Sequence, residues 1–250
     1  MLESLGASFV FETVKKFSTV IPDVIAKRRV KSFFGKTVLG EKFYIVVDPF
    51  EHPEPRGSVL PQKNRYIKRF YGRKKKDSGL VGEDKVFGSC NLRTINYAVS
   101  FFGKFRNSLK PIRIVSDDAV LNIWDAGFLC FGSADSNVKT FDIEKLPENN
   151  FYSLSWDKNA RCFNVGGKNH HIKNGEDVGV LVKIRNPRHN EHFLFLCEGL
   201  GEWGTSGAVY YLFHNFNNIY KRTKGKEFCM IIRTKGGSDE SAREIDMLLK

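Results

Sequence analysis

The chain has 250 residues, 41% of them hydrophobic, which is enough for one sizeable core or two small ones and excludes an intrinsically disordered chain or a disulfide-stapled miniprotein. The mean hydropathy is −0.33, and no apolar run approaches the roughly 20 residues of a membrane-spanning helix. The net charge of +12 is concentrated: Lys63, Arg65, Lys68, Arg69, Arg73, Lys74, Lys75 and Lys76 fall in one acid-free stretch, and without these eight the chain holds 32 basic against 28 acidic residues.

Residues 1–40 read as an amphipathic helical segment, because Leu2, Leu5, Phe9, Val10, Val14, Phe17, Ile21, Val24 and Ile25 recur mostly every three or four positions. Glu3, Glu12, Lys15 and Lys16 interrupt any apolar stretch of the secretory-signal kind, so cytoplasmic residence is expected. Pro22 opens a second helical piece with Thr19 near its cap, and Lys27, Arg28, Arg29 and Lys31 suit the negative end of its dipole. Three uses fit the segment: packing on the domain, docking a protein partner, or lying on a membrane.

A first strand is expected at 43–47, followed by Asp48 and Pro49. A proline-rich loop from His52 to Pro61 runs on into the basic loop at 61–82. Tyr66, Phe70 and Tyr71 interleave with the cations there. That mixture suits nucleic-acid stacking beside phosphate neutralisation, an anionic membrane surface, or a solvated loop pinned by its aromatic residues.

Helical spacing returns at Leu92, Ile95, Val99, Phe102 and Phe105, then come a strand at 112–115, a short helical piece at 118–124 and a buried strand at 128–131. The polar turn G-S-A-D-S-N (132–137) stands where a parallel strand hands over to a helix. A hairpin of strands 151–156 and 161–165 follows, inserted or at a sheet edge. Strands at 178–184 and 193–197, a helix from near Ser206 to Tyr220, a strand at 228–233 and a polar tail at 236–250 complete the chain. The alternation predicts an α/β domain over 41–235, a three-layer Rossmann-like sandwich with a mostly parallel sheet.

Two loops carry the candidate chemistry. After strand 193–197 the chain reads Glu198, Gly199, Gly201, Gly204 and Thr205, the strand, G-x-G-x-x-G, helix order that lets main-chain amides hold phosphate. Arg233 and Lys235 stand at the next strand end in place of the usual acidic residue, which suits an additional phosphate better than a plain NAD dehydrogenase. A tight turn with close packing would use the same glycines. Gly132, Ser133, Ser136 and Asn137 form the second loop, and both loops are expected to meet at one crevice at the strand C-termini and bind a phosphate-bearing ligand. Asp48, Asp117 and Asp118 fall at the same edge.

Glu198 ends an apolar strand, where burial raises a carboxyl pKa, and it is the first candidate for acid/base work or for stabilising an oxocarbenium-like transition state; Glu202 is the alternative. Cys90, Cys130, Cys162, Cys197 and Cys229 are odd in number and widely spaced, with no C-x-x-C, the pattern of reduced core thiols. His189, His192, His170 and His171 complete no Cys/His ligand set, so no metal is expected.

F-G-S-A-D-S-N and E-G-L-G-E-W-G-T, each after a strand, resemble the Rossmann-like nucleotide-processing domains of bacterial immune effectors of the SLOG and TIR type. The resemblance covers under half the chain. It implies a nucleotide or NAD as ligand, cleavage of an N-glycosidic bond in it, and a role in antiviral defence. The alternatives are a nucleotide sensor without catalysis and an interaction module that binds nucleic acid or an anionic membrane through the basic loop.

Overall fold

The computed structural model describes residues 24–48, 88–105, 113–157 and 160–250. The basic loop, with Lys63, Arg65, Lys68, Arg69, Arg73, Lys74, Lys75 and Lys76, lies outside the described residues, as does residues 1–23 of the N-terminal segment.

Seven strands form one mixed sheet: β1 (Phe43–Val47), β2 (Arg113–Ser116), β3 (Gly127–Phe131), β7 (Glu176–Arg185), β8 (Phe193–Gly199), β9 (Phe228–Lys235) and β10 (Ser238–Leu249). Their order is β10-β9-β7-β8-β3-β1-β2. β2, β1, β3 and β8 run parallel, whereas β7, β9 and β10 join by antiparallel pairings. The sheet is therefore parallel from its middle strand β8 out to β2 and antiparallel from β8 out to β10, half of its pairings being of each kind. β4 (Tyr152–Asp157), β5 (Ala160–Val165) and β6 (Lys168–His170) make a second, antiparallel sheet. β6 escapes the sequence reading because the turn before it is only Gly166–Gly167. Both residues have positive φ, as a two-residue hairpin turn demands.

The main sheet buries both faces, so its strands read as apolar runs and not as alternating ones. Period two sorts them into two cores. Phe43, Ile45, Leu129, Phe131, Phe195, Met230 and Ile232 join one core. It is closed by the helix at 24–34 (α1), α2 (Ser89–Gly103), α4 (Glu202–His214) and α5 (Phe216–Thr223). Phenylalanines dominate it, with Phe34 in ring contact with Phe102, Phe195 and Phe216 at 5.2, 4.9 and 5.9 Å. The alternate residues Val46, Phe128, Cys130, Leu194, Leu196, Val180 and Ile231 pack against α3 (Val138–Glu144) and the second sheet through Ile143, Phe151 and Phe163.

Three expectations are corrected. Residues 236–250 form no polar tail: β10 pairs along β9, and its Asp239, 2% exposed, accepts from Arg93, Tyr97 and Ser206. An edge strand with one half-buried face needs few apolar residues, so composition misleads there. α2 is rotated from the stripe read in sequence: Leu92 and Val99 are exposed, while Asn91 and Thr94 are buried. Asn91 Nδ2 donates to the Asp48 carbonyl at 2.8 Å, a tertiary contact that no periodicity reveals. α4 starts at Glu202 and not near Ser206, for a reason that belongs to the site. Among the described residues no helix is long and apolar enough to cross a membrane.

Candidate functional site

Because β1, β3 and β8 are parallel, the residues that follow them share one edge of the sheet: Asp48, Gly132 and Leu200. From β1 the chain goes to β2 on one side and later to β3 on the other, so this edge carries a topological switch point. A cavity of about 880 Å³ opens there. The Gly132–Asn137 and Glu198–Thr205 loops do converge on it. Gly132, Ser133 and Ser136 line it from the first, and Gly199, Gly201, Glu202 and Thr205 from the second. Asp48, Gly88, Cys90 and Asn91 contribute from β1 and the start of α2, and Phe141 and Arg161 from α3 and β5.

The remaining expected residues, Gly204 among them, do not line the cavity. Asn137 is fully buried, donates to the Phe131 carbonyl at 2.8 Å and accepts from the Thr140 amide at 3.0 Å, capping α3. Asp117 is also buried and accepts from the Val138 amide at 2.8 Å, so it too serves that helix start. Asp118 belongs to the 3-10 turn Asp117–Val120, and it does not line the cavity. Arg233 donates to the His171 carbonyl at 3.3 Å, and neither it nor Lys235 lines the cavity.

The amides of the glycine motif already have an acceptor. The Asp177 carboxylate accepts from the amides of Gly201 at 3.1 Å and Gly204 at 2.7 Å, as well as from Val178 at 2.7 Å. Asp177 stands at the start of β7, which is antiparallel to β8 and so begins at the same edge. It ties down the first turn of α4, which is why the helix begins four residues earlier than its apolar pattern indicates. The glycines serve closeness. A Cβ at Gly204 would stand 2.3 Å from the Val178 carbonyl oxygen, and one at Gly199 2.2 Å from the Thr205 amide nitrogen. Gly132 is different: its φ of +102° lets the chain turn out of β3, and a Cβ there would meet Ser136 Oγ at 3.0 Å and Asp48 Oδ1 at 3.3 Å.

Glu198, the first catalytic candidate, is sealed away. Alternation turns it into the second core, where it is fully buried, its Oε1 accepts from Tyr152 Oη and its Oε2 has no hydrogen-bond partner among the described residues. Burial first, and then the charge of Glu144, push its carboxyl well above the carboxylate range. It does not line the cavity. Glu202 does, from the exposed first turn of α4, with its Oε2 3.4 Å from the donor Ser89 Oγ. Burial pushes the Cys90 thiol up to about 12, so it is no thiolate nucleophile at neutral pH. Among the described residues no group of three His, Cys, Asp or Glu side chains could hold a metal ion.

No protein-family model, curated protein or solved structure matches the chain.

Sequence reasoning missed Asp177 and Arg161. The first carries a faint signal, an acid opening an apolar strand; the second carries none, since only the packing of the second sheet brings β5 to the cavity.

Proposed function

We propose that this chain binds a nucleotide-derived small molecule, a nucleotide or NAD, in the cavity at the C-terminal ends of β1, β3 and β8. One observation carries the reading: two polar loops from separate strands line a single cavity of about 880 Å³ at a switch point of the parallel strands. That volume lies within the roughly 300–1,000 Å³ typical of small-molecule sites. Phe141 supplies a ring face for a base, and Asp48 and Glu202 supply carboxylates for sugar hydroxyls. The accompanying fold reading is a three-layer Rossmann-like sandwich; the SLOG and TIR type of effector and a part in antiviral defence rest on the loop resemblance alone.

For cleavage of an N-glycosidic bond, a carboxylate must stabilise an oxocarbenium-like transition state or activate water. Glu202 is the residue for that role, because it lines the cavity and Glu198 does not. The burial of Glu198 favours the second reading, a nucleotide sensor without turnover.

Incubation with AMP, adenosine and NAD, followed by thermal unfolding and chromatography of released base, tests both. Stabilisation of several degrees is expected at ligand concentrations far above Kd. Base release that disappears in Glu202→Gln selects the enzyme, and stabilisation without release selects the sensor. A protein unmoved by all three compounds overturns the reading and leaves the interaction module.

A further inference from the structure

The loop after β3 holds an unused set of donors. The main-chain N–H groups of Ser133, Ala134 and Asp135 donate no hydrogen bond among the described residues, whereas those of Ser136 and Asn137 close a turn on the Ser133 carbonyl at 2.9 and 2.8 Å. All three residues line the cavity, and Ala134 is 5% exposed. A main-chain donor withdrawn from water, as at buried Ala134 beside the more open Ser133 and Asp135, needs an acceptor, and successive N–H groups on a turn form an anion-binding concavity. Arg161 reaches the same wall from β5 and forms an ion pair with Asp135. It is the one basic side chain among the described residues lining the cavity.

The glycine motif offers no comparable place, because Asp177 already accepts from Gly201 and Gly204. A phosphate set on those amides would face a carboxylate at hydrogen-bond range. The Asp48 carboxylate, close to Gly132, likewise disfavours the near end of the β3 loop; at the other end the Asp135 and Glu144 carboxylates have the Arg161 guanidinium beside them to offset their charge.

Building on the nucleotide reading above, we propose that the ligand's phosphate group binds to the Ser133–Asp135 main-chain N–H groups and the Arg161 guanidinium, and not to the glycine motif. The guanidinium fork matches phosphate oxygens in pairs, and the amides add donors of fixed direction. Asp135, 58% exposed at its side chain, pairs with Arg161, and in this proposal its carboxylate competes with the phosphate for the guanidinium.

Calorimetric titration of the full chain with AMP, adenosine and inorganic phosphate, in phosphate-free buffer, tests this. AMP should bind about tenfold more tightly than adenosine, the scale of one charge-assisted contact. Arg161→Ala should remove that preference while adenosine affinity stays, and Arg161→Lys should keep part of it; far-UV circular dichroism identical to the parent checks the fold. Asp135→Asn should tighten AMP and leave adenosine unchanged, and if it weakens AMP the competition is overturned. Equal affinity for AMP and adenosine, or a preference that survives Arg161→Ala, overturns the phosphate site and leaves the cavity reading standing. Arg161-dependent binding of inorganic phosphate with neither nucleoside compound bound upholds the site and overturns the nucleotide reading. Absence of binding by all three overturns both.

Discussion

Two side chains show how far burial displaces ordinary chemistry. Lys183 on β7 is fully buried, its ammonium 4.0 Å from the Phe193 ring centroid and 4.7 Å from that of Phe33, and it donates to the Gly225 carbonyl at 3.1 Å. Burial pulls its pKa from 10.5 down to about 7. The unfolded chain thus holds a proton that the folded one lacks between about pH 7 and 10.5, so this residue makes stability rise with pH across that window. Glu198 has the opposite slope: its raised pKa contributes stability below about pH 4.5 that is lost as pH rises towards the folded value. Chemical denaturation at pH 6 and pH 10 should show Lys183→Met flattening the alkaline rise, with its gain over the parent larger at pH 6. Glu198→Gln should keep Tyr152 paired and flatten the loss above pH 4.5; an unchanged pH profile in either variant would refute the assignment. The raised pKa of Glu198 was legible from its place at the end of an apolar strand, whereas nothing in the sequence marks Lys183 as buried.

At the scale of elements, the junction of β8, α4 and β7 is closed by contact and not by ligand. Asp177→Ala leaves the amides of Gly201 and Gly204 unpaired and should cost about 1–2 kcal/mol, the scale of a lost helix N-cap, whereas Asp177→Asn retains an acceptor and should cost less. Gly204→Ala drives a methyl into the Val178 carbonyl and should destabilise by about 3 kcal/mol, the upper range for overpacking. Urea unfolding measures all three, and a wild-type stability for Gly204→Ala would contradict the packing account. Strand and helix identities in this region were readable from apolar runs and from the glycine cluster. The purpose of the glycines was not, since a phosphate loop and a close strand-to-helix turn demand the same residue at the same place.

For the whole molecule, the charge is the feature that stands apart from the fold. Without the eight basic residues of 63–76 the balance falls from +12 to +4, so any sequence-independent polyanion binding should depend on that segment. Replacing Arg73, Lys74, Lys75 and Lys76 by alanine should weaken binding to anionic vesicles or to single-stranded DNA, and for the DNA reduce the salt dependence by about 0.7 in log–log slope per lost phosphate contact. Titration at two salt concentrations checks this, and an unaltered, salt-insensitive affinity removes the role.

What the sequence determined by itself is local: strands such as 43–47, 128–131 and 193–197, whose buried faces leave apolar runs, and polar turns directly after them. Those turns located the candidate site, because in parallel strands the C-terminal ends must share an edge. The tertiary structure alone decided which groups at that edge are available. Alternation turned Glu198 into the core, an antiparallel neighbour brought Asp177 onto the helix start, and the packing of a separate sheet carried Arg161 to the cavity wall. Each depends on contacts between residues far apart in the chain, and spacing along a sequence holds no record of them.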